Sequence, residues 1–233
     1  MYYLLTDENT ILSERYHPDT QVSDMNLWAD FDPTTPSVGD CRRCPNCNEP
    51  ISCLTWGEDR KGKLSNRRFP DVIFFMPGDD FIVSEHFKNE FQKGGFKGIY
   101  SFNEIKIVGK NIPNFKYYSV LVEYSDISWE LEDNKPCFVN GFFKKKSVRE
   151  QSSCTLCGRQ IVNTQGILFD ENDRRYDIFQ SYSLNHNFWV SEQLAKWFTL
   201  HKFNNVFLVP SNVCSMKDNG NIVFPEKVFI EFK

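Results

Sequence analysis

The sequence lacks any run of about 18 apolar residues, the minimum for a helix that spans a membrane. Its amino-terminal residues also lack the basic stretch and the longer apolar stretch of a secretory signal peptide. We therefore expect a protein that stays in the reducing cytoplasm and has no membrane partner. Stable disulfides are rare in that compartment, so clustered cysteines there more often bind metal.

The sequence also lacks an excess of basic residues and the common catalytic motifs. Its 27 Lys and Arg against 31 Asp and Glu give a net charge of −4, which argues against nucleic-acid binding over the whole surface. It contains no Walker A loop, no GxGxxG and no GxSxG, and its four histidines lack the spacing of a metalloprotease or a catalytic triad. We therefore expect a protein without enzymatic activity.

What the sequence does contain is many aromatic residues and an internal repeat. Aromatic residues make up 15% of the 233 residues, and 22 of them are phenylalanine. Two segments, DDFIVSEHFKNEFQKGGFKGIYSF from Asp79 and HNFWVSEQLAKWFTLHKFNNVFLV from His186, align without a gap, so that Ser84 corresponds to Ser191 at an offset of 107 residues. A chain of this length can bury one large core. We expect a single domain, residues 1–233, with an internal repeat.

Each copy of the repeat reads as a strand, a helix and a second strand. FIV and FWV favour strands, Ser84 and Ser191 are good helix N-caps, and the apolar residues that follow recur at helical spacing. A Cys-x-x-Cys turn precedes each copy. The expected fold class is α+β, with repeats at about 39–108 and 152–210 and a unique insertion at about 110–150.

Eight cysteines include two pairs with Cys-x-x-Cys spacing, one before each copy. Cys44 and Cys47 lie in CRRCPNCNEPISC, and Cys154 and Cys157 lie in CTLCG. Four thiolates complete a tetrahedral structural zinc site, which leaves no ligand position for water or substrate. We therefore predict that these four cysteines hold one structural Zn²⁺ that joins the two repeats.

The first cysteine stretch leaves other assignments open. Cys41 could replace Cys47 in a shifted pairing with Cys44, and C-x2-C-x2-C also resembles part of a ferredoxin-type iron–sulfur motif, which the position of Cys53 does not complete. A redox pair is disfavoured because neither pair lies between a predicted strand and a helix N-terminus. The remaining cysteines lack a partner at ligand spacing and are expected to be small buried side chains: Cys53, Cys137 and Cys214.

One acidic stretch is a candidate contact surface for a partner. Residues 123–133, EYSDISWELED, interleave five acidic residues with aromatic and aliphatic ones. We predict a docking surface for a basic protein partner, although a strand with a solvated acidic face fits the pattern too. The residues predicted to contact the partner are Glu123, Tyr124, Asp126, Trp129, Glu130, Glu132 and Asp133.

Three basic stretches with nearby aromatic residues lie at 60–63, 66–68 and 141–149. Such stretches are typical of solvated loops, and they would also suit a zinc-ribbon-like protein that contacts nucleic acid. A nucleic-acid-binding zinc protein is therefore the alternative function.

The order and spacing of these motifs resemble the double-CxxCG family of bacterial proteins. The likeness covers residues 41–210 and rests on CPNC, FIVSEHF, GFKGI, CTLCG, DIF and FWVSEQLAKW. Asn48 stands where the first glycine of the family motif is expected; like Gly158 after the second pair, it tolerates a left-handed backbone. Membership implies a cytoplasmic immunity protein that binds and neutralises a contact-delivered toxin, such as a basic nuclease, without enzymatic activity.

Overall fold

The computed structural model describes most of the chain. The described residues are 1–7, 28–34, 38–48, 50–56, 60–74, 81–127, 129–131, 154, 164–170, 172, 174–182, 187–216 and 222–223. Cys157, the second cysteine of the second predicted pair, lies outside them, as do Glu132, Asp133 and the basic stretch 141–149.

Within the described residues the chain is mostly β-strand with two α-helices, which confirms the expected mixture of helix and strand. The helices are α1 (Glu85–Gly94) and α2 (Glu192–His201). Neither has the length and hydropathy needed to cross a membrane. The strands are β1 (Tyr2–Thr6), β2 (Phe31–Pro33), β3 (Val38–Arg43), β4 (Pro50–Trp56), β5 (Lys61–Leu64), β6 (Val72–Phe74), β7 (Phe81–Ser84), β8 (Ile99–Ile107), β9 (Tyr117–Val122), β10 (Tyr124–Ser125), β11 (Trp129–Leu131), β12 (Thr164–Gln165), β13 (Ile167–Phe169), β14 (Ile178–Ser181), β15 (Phe188–Ser191), β16 (Phe207–Pro210), β17 (Ser215–Met216) and β18 (Ile222–Val223).

The first large sheet has six strands in the order β2-β5-β8-β9-β7-β6. β5 and β8 run parallel, and the other neighbouring strands run antiparallel. α1 connects β7 to β8 and packs against β7 and β9. The strand, helix and strand predicted for the first copy are therefore present.

The second large sheet has five strands in the order β10-β14-β15-β1-β16. α2 connects β15 to β16, so the strand, helix and strand predicted for the second copy are present as well. β1, from the start of the chain, lies between β15 and β16 and pairs antiparallel with both. The smaller sheets are β3-β4, β11-β13 and β12-β17-β18.

β1 holds the position in the second sheet that β9 holds in the first. Tyr117 lies opposite Ser84, and Tyr2 lies opposite Ser191 in the same antiparallel register. The offset of 107 residues does not predict this arrangement, because β1 precedes the first copy and β9 lies in the stretch expected to be unique. We name β6, β7, α1, β8 and β9 the first unit, and β14, β15, α2, β16 and β1 the second unit.

A central apolar cluster holds both sheets and both helices together. Side chains alternate across a strand, so each sheet turns one face into this cluster, with Val83 and Val120 from the first sheet and Leu5 and Val190 from the second. The helices contribute residues at helical spacing: Phe87, Phe91, Leu194, Ala195 and Phe198. Two smaller clusters cover the opposite faces of the sheets. The two units are therefore stabilised by one shared core.

Both helices begin at the predicted serine caps. The Oγ of Ser84 accepts a hydrogen bond from the backbone N–H of Phe87 (3.1 Å), and the Oγ of Ser191 accepts one from the N–H of Leu194 (3.2 Å). α1 ends at Gly95, which adopts the left-handed conformation. The prediction that Ser84 and Ser191 cap the two helices is confirmed.

A buried carboxylate, Asp71, joins the first unit to the second. Its Oδ1 accepts a hydrogen bond from the Oγ of Ser84 (2.5 Å), and its Oδ2 accepts one from the backbone N–H of Asn204 (3.0 Å). Ser84 caps α1, whereas Asn204 follows α2. One side chain therefore fixes the start of one helix and the loop after the other.

Asp177 makes the same contacts with the units exchanged. Its Oδ1 accepts a hydrogen bond from the Oγ of Ser191 (3.0 Å), and its Oδ2 accepts one from the backbone N–H of Lys97 (3.0 Å). Ser191 caps α2, whereas Lys97 follows α1. The two carboxylates thus form a reciprocal pair of links between the units.

The loops that receive these links approach the opposite unit closely. Gly98 has a φ of 115°, and a Cβ added there would lie 1.8 Å from the carbonyl oxygen of Ile178, so glycine is required. In the corresponding loop, Asn205 donates a hydrogen bond from its side-chain Nδ2 to the carbonyl oxygen of Val72 (2.8 Å). Each loop therefore approaches a strand of the opposite unit, one through a glycine and the other through an asparagine.

We expect Asp71→Ala to lower the free energy of unfolding by about 2–3 kcal/mol. The substitution removes a carboxylate that accepts hydrogen bonds from Ser84 and Asn204 and lies 3.3 Å from Nδ1 of His86. A buried donor left without a partner costs about 1–3 kcal/mol. Urea denaturation followed by circular dichroism measures the change.

Asp32→Ala is the matched control, because Asp32 lies exposed in β2; it should change the free energy by less than about 0.5 kcal/mol. Equal stabilities of the two variants would contradict a structural role for the Asp71 carboxylate.

The side chain of Gln180 is buried without a hydrogen-bond partner. It is 0% exposed, and within the described residues neither its Oε1 nor its Nε2 has a partner. Gln180 lies opposite Phe188, while the corresponding residue of the first sheet, Phe74, lies opposite Phe81. The second unit thus has the amide of Gln180 at the position where the first unit has the ring of Phe74.

Gln180→Met should raise the free energy of unfolding by about 1–2 kcal/mol. Methionine has a similar volume, and the change removes a buried amide whose desolvation is uncompensated. Thermal and urea denaturation would both report the increase.

Gln180→Glu tests the same environment in the opposite direction, since a buried carboxylate should lower stability. A less stable Gln180→Met would show that the amide makes a stabilising contact.

Candidate metal centre and partner surface

The first cysteine pair lies at the turn between β3 and β4. Asn48 donates its backbone N–H to the carbonyl oxygen of Cys44 (2.8 Å), which closes the turn around the pair. Asn48 has a φ of 62°, so it adopts the left-handed conformation expected for the glycine position of the motif. Arg43 donates from Nη1 to the carbonyl oxygen of Asn48 (2.9 Å) and braces the turn from within the hairpin.

Three of the four predicted ligands lie together in what we call the cysteine cluster: Cys44, Cys47 and Cys154. Their Sγ atoms all lie within 4.8 Å of one another, and those of Cys44 and Cys154 are 3.7 Å apart. Two thiolates on one tetrahedral zinc, each at about 2.3 Å, are separated by about 3.8 Å. A disulfide would bring two sulfurs to about 2.0 Å, much closer than the 3.7 Å between those of Cys44 and Cys154. The spacing therefore fits a shared metal ion.

The structure separates the cysteine cluster from the other described cysteines. Cys41 lies in β3 opposite Leu54 and does not belong to the cluster, so it is Cys47 that accompanies Cys44. Cys214 is buried, and burial raises the pKa of its thiol to about 12, which confirms a small buried side chain. The remaining cysteine side chains lie outside the described part: Cys53, Cys137 and Cys157.

The three side chains of the cysteine cluster could hold an ion, and they differ in their exposure to solvent. Cys44 is 2% exposed, Cys154 is half-buried, and Cys47 is exposed. Cys44 and Cys154 are 110 residues apart in the sequence. An ion held here would therefore connect two distant segments at the rim of the molecule.

The hairpin that carries Cys44 contacts the start of the acidic stretch. The guanidinium of Arg42, two residues before Cys44, lies 5.1 Å from the centre of the Tyr124 ring. Burial, followed by the negative charge of Asp126, raises the pKa of the nearby Tyr182 hydroxyl. The ring of Tyr182 in turn lies 5.4 Å from the ring of Tyr124, centre to centre.

Three of the residues predicted to contact a partner can be placed with their side chains: Glu123, Tyr124 and Asp126. The backbone N–H of Glu123 donates to Gly98, and its carbonyl oxygen accepts from Gln180, so this residue bridges the two sheets (2.8 Å each). Asp126 forms a salt bridge with Arg175 (2.5 Å), and both side chains are about half exposed. The structure thus supplies an internal counter-charge that the sequence pattern did not indicate.

The other four predicted contact residues remain untested. Trp129 and Glu130 lie in β11, which pairs with β13, and their side chains lie outside the described part. Glu132 and Asp133 lie outside the described residues entirely.

Two of the basic stretches lie close together. The stretch 60–63 leads into and forms most of β5, and 66–68 follows in the next turn. The parallel pairing of β5 with β8 places Lys61 opposite Lys106, two like charges on neighbouring strands. An exposed carboxylate, Asp32, lies opposite Lys63 on the other side of β5. The basic residues therefore share one edge of the first sheet with at least one acid.

Neither the models of known protein families nor the curated protein sequences match this chain. The resemblance to the double-CxxCG proteins therefore depends on the motifs and their spacing alone.

We expect the purified protein to bind one metal ion per chain, and Cys47→Ser to lower this occupancy at least tenfold. A serine hydroxyl is a poor ligand for a soft divalent ion, and metal affinity supports folding, so the variant should also unfold more readily. Elemental analysis of dialysed protein gives the occupancy.

Cys41→Ser is the matched control, from the same hairpin but outside the cysteine cluster, and should keep the ion. Loss of metal from Cys41→Ser with retention in Cys47→Ser would favour the alternative in which Cys41, and not Cys47, is the ligand beside Cys44.

Proposed function

We propose that the cysteine cluster, together with Cys157, binds a structural Zn²⁺ through four thiolates, those of Cys44, Cys47, Cys154 and Cys157. The 3.7 Å separation of two sulfurs from distant segments carries this proposal. Four protein ligands fill a tetrahedral site, so the ion stabilises the fold and does not activate water. Visible absorbance with bound iron would instead favour an iron–sulfur centre.

The two units are, in this proposal, pseudo-repeats joined by the zinc. The reciprocal hydrogen bonds of Asp71 and Asp177 and the matching registers of β1 and β9 support it. The zinc would add a further link between the cysteine turns that precede the two copies.

The function that these features support best is that of a non-catalytic immunity protein in the cytoplasm. It binds a cognate protein toxin, such as a basic nuclease, and blocks it by occupying its surface. The observation that carries this proposal is the group of acidic and aromatic side chains at Glu123, Tyr124 and Asp126, which is at least partly exposed to solvent. Aromatic anchors supply most of the affinity at such interfaces, and charge steers association.

A nucleic-acid-binding zinc protein is the second candidate. The position of two basic stretches, 60–63 and 66–68, close together at one edge of the first sheet favours it. Affinity for DNA or RNA at physiological salt would support this alternative.

If the neighbouring upstream gene encodes a toxin domain, we expect the protein to co-purify with that domain, and Tyr124→Ala to weaken the complex at least tenfold. Truncating an aromatic anchor at the centre of an interface commonly costs 2 kcal/mol or more, about a thirtyfold change in affinity. Calorimetry of the purified pair measures the affinity.

Leu200→Ala is the control, since Leu200 is 77% exposed on α2 and lies outside the proposed surface. A toxin domain that neither binds nor is inhibited by the wild-type protein would overturn the proposed function.

A further inference from the structure

We propose that Arg42 is a positioning residue that couples the cysteine cluster to the surface around Tyr124, so that metal occupancy controls the order of that surface. This inference rests on the proposed metal centre and, for its consequence on affinity, on the proposed partner surface.

The hairpin that carries the first cysteine pair is not joined to either large sheet by strand pairing. Among the described strands, β3 and β4 pair only with each other. A two-stranded hairpin is marginally stable by itself in water. Its position must therefore be fixed by side chains, and the cysteine cluster is one such connection.

Arg42 supplies the second connection, two residues before Cys44. Its guanidinium lies over the ring of Tyr124 at 5.1 Å from the ring centre and over the ring of Tyr100 at 5.2 Å. Its Nη1 also donates a hydrogen bond to the carbonyl oxygen of Val122. One side chain thus contacts three strands, β8, β9 and β10.

The chemistry of arginine suits this arrangement. A planar guanidinium can lie on aromatic rings with its flat face while its N–H groups donate along the edge. A hydrogen bond from a charged donor is stronger than a neutral one. A lysine at this position would provide the charge without the flat face and without a second donor direction.

The contacts of Arg42 lie at the junction that orders the acidic stretch. Val122 and Tyr124 flank Glu123, whose backbone hydrogen bonds to Gly98 and Gln180 bridge the two sheets. Tyr124 also packs against Tyr182. Removal of the metal would free the hairpin at the cysteine cluster, leave Arg42 as an anchor under greater load, and loosen residues 122–125.

Hydrogen–deuterium exchange with mass spectrometry tests the coupling without any partner. In the Zn²⁺-loaded wild-type protein, EDTA should raise exchange in residues 117–127 about fivefold or more, while α1 stays unchanged. Arg42→Ala should keep its zinc but show the raised exchange before EDTA, with little further change after it. Arg42→Lys should resemble Arg42→Ala.

Arg67→Ala is the matched control, because Arg67 is an exposed arginine outside the hairpin; it should respond to EDTA like the wild type. Tyr100→Leu is a second test that spares the fold, since Tyr100 is 53% exposed, and it should give an intermediate effect. Wild-type-like exchange in zinc-loaded Arg42→Ala would overturn the inference.

The exchange result and the proposed function can fail separately. Coupled exchange in a protein that binds no toxin would support the role of Arg42 and overturn only the proposed partner. A wild-type protein that binds no Zn²⁺ would overturn the metal centre and the coupling together.

Discussion

The fold depends on two carboxylates that accept hydrogen bonds from both units. Asp71, which is buried, holds the cap of α1 and the loop after α2, and Asp177, which is partly exposed, holds the cap of α2 and the loop after α1. Apolar contacts in the central cluster supply more free energy, but they are not directional. Hydrogen bonds are directional, and a donor displaced from its carboxylate would lose its partner. The orientation of one unit against the other is therefore set at these two points.

This orientation places the residues that reach the cysteine cluster. Once the sheets are joined, Glu123 bridges them through its backbone, and the neighbouring residues Val122 and Tyr124 are fixed on either side. Arg42 binds to this junction and carries the hairpin with Cys44. The candidate metal centre thus lies at the end of a hairpin that, among the described strands, pairs with neither large sheet.

Local signals made part of this structure predictable. The serine caps, the helix ends and the cysteine turn each depend on a few adjacent residues, and the structure confirms them. The place of β1, the hydrogen bonds that Asp71 and Asp177 accept from the opposite unit and the stacking of Arg42 depend on residues far apart in the sequence. No periodicity encodes such contacts. The paired tyrosines that open β1 and β9 were the one available hint, since both pairs hold the same register beside their strands.

The salt bridge between Asp126 and Arg175 changes how the acidic stretch can act. A sequence of alternating acids and aromatic residues suggests attraction by charge, yet one carboxylate already has a counter-ion and Arg42 adds a positive charge beside Tyr124. A partner that binds here must compete with these internal pairs, and exposed pairs contribute little once screened by salt. Burial of an aromatic ring, unlike an exposed ion pair, is not screened by salt. Affinity at this surface should therefore come mainly from ring burial, while the remaining charge governs the rate of encounter.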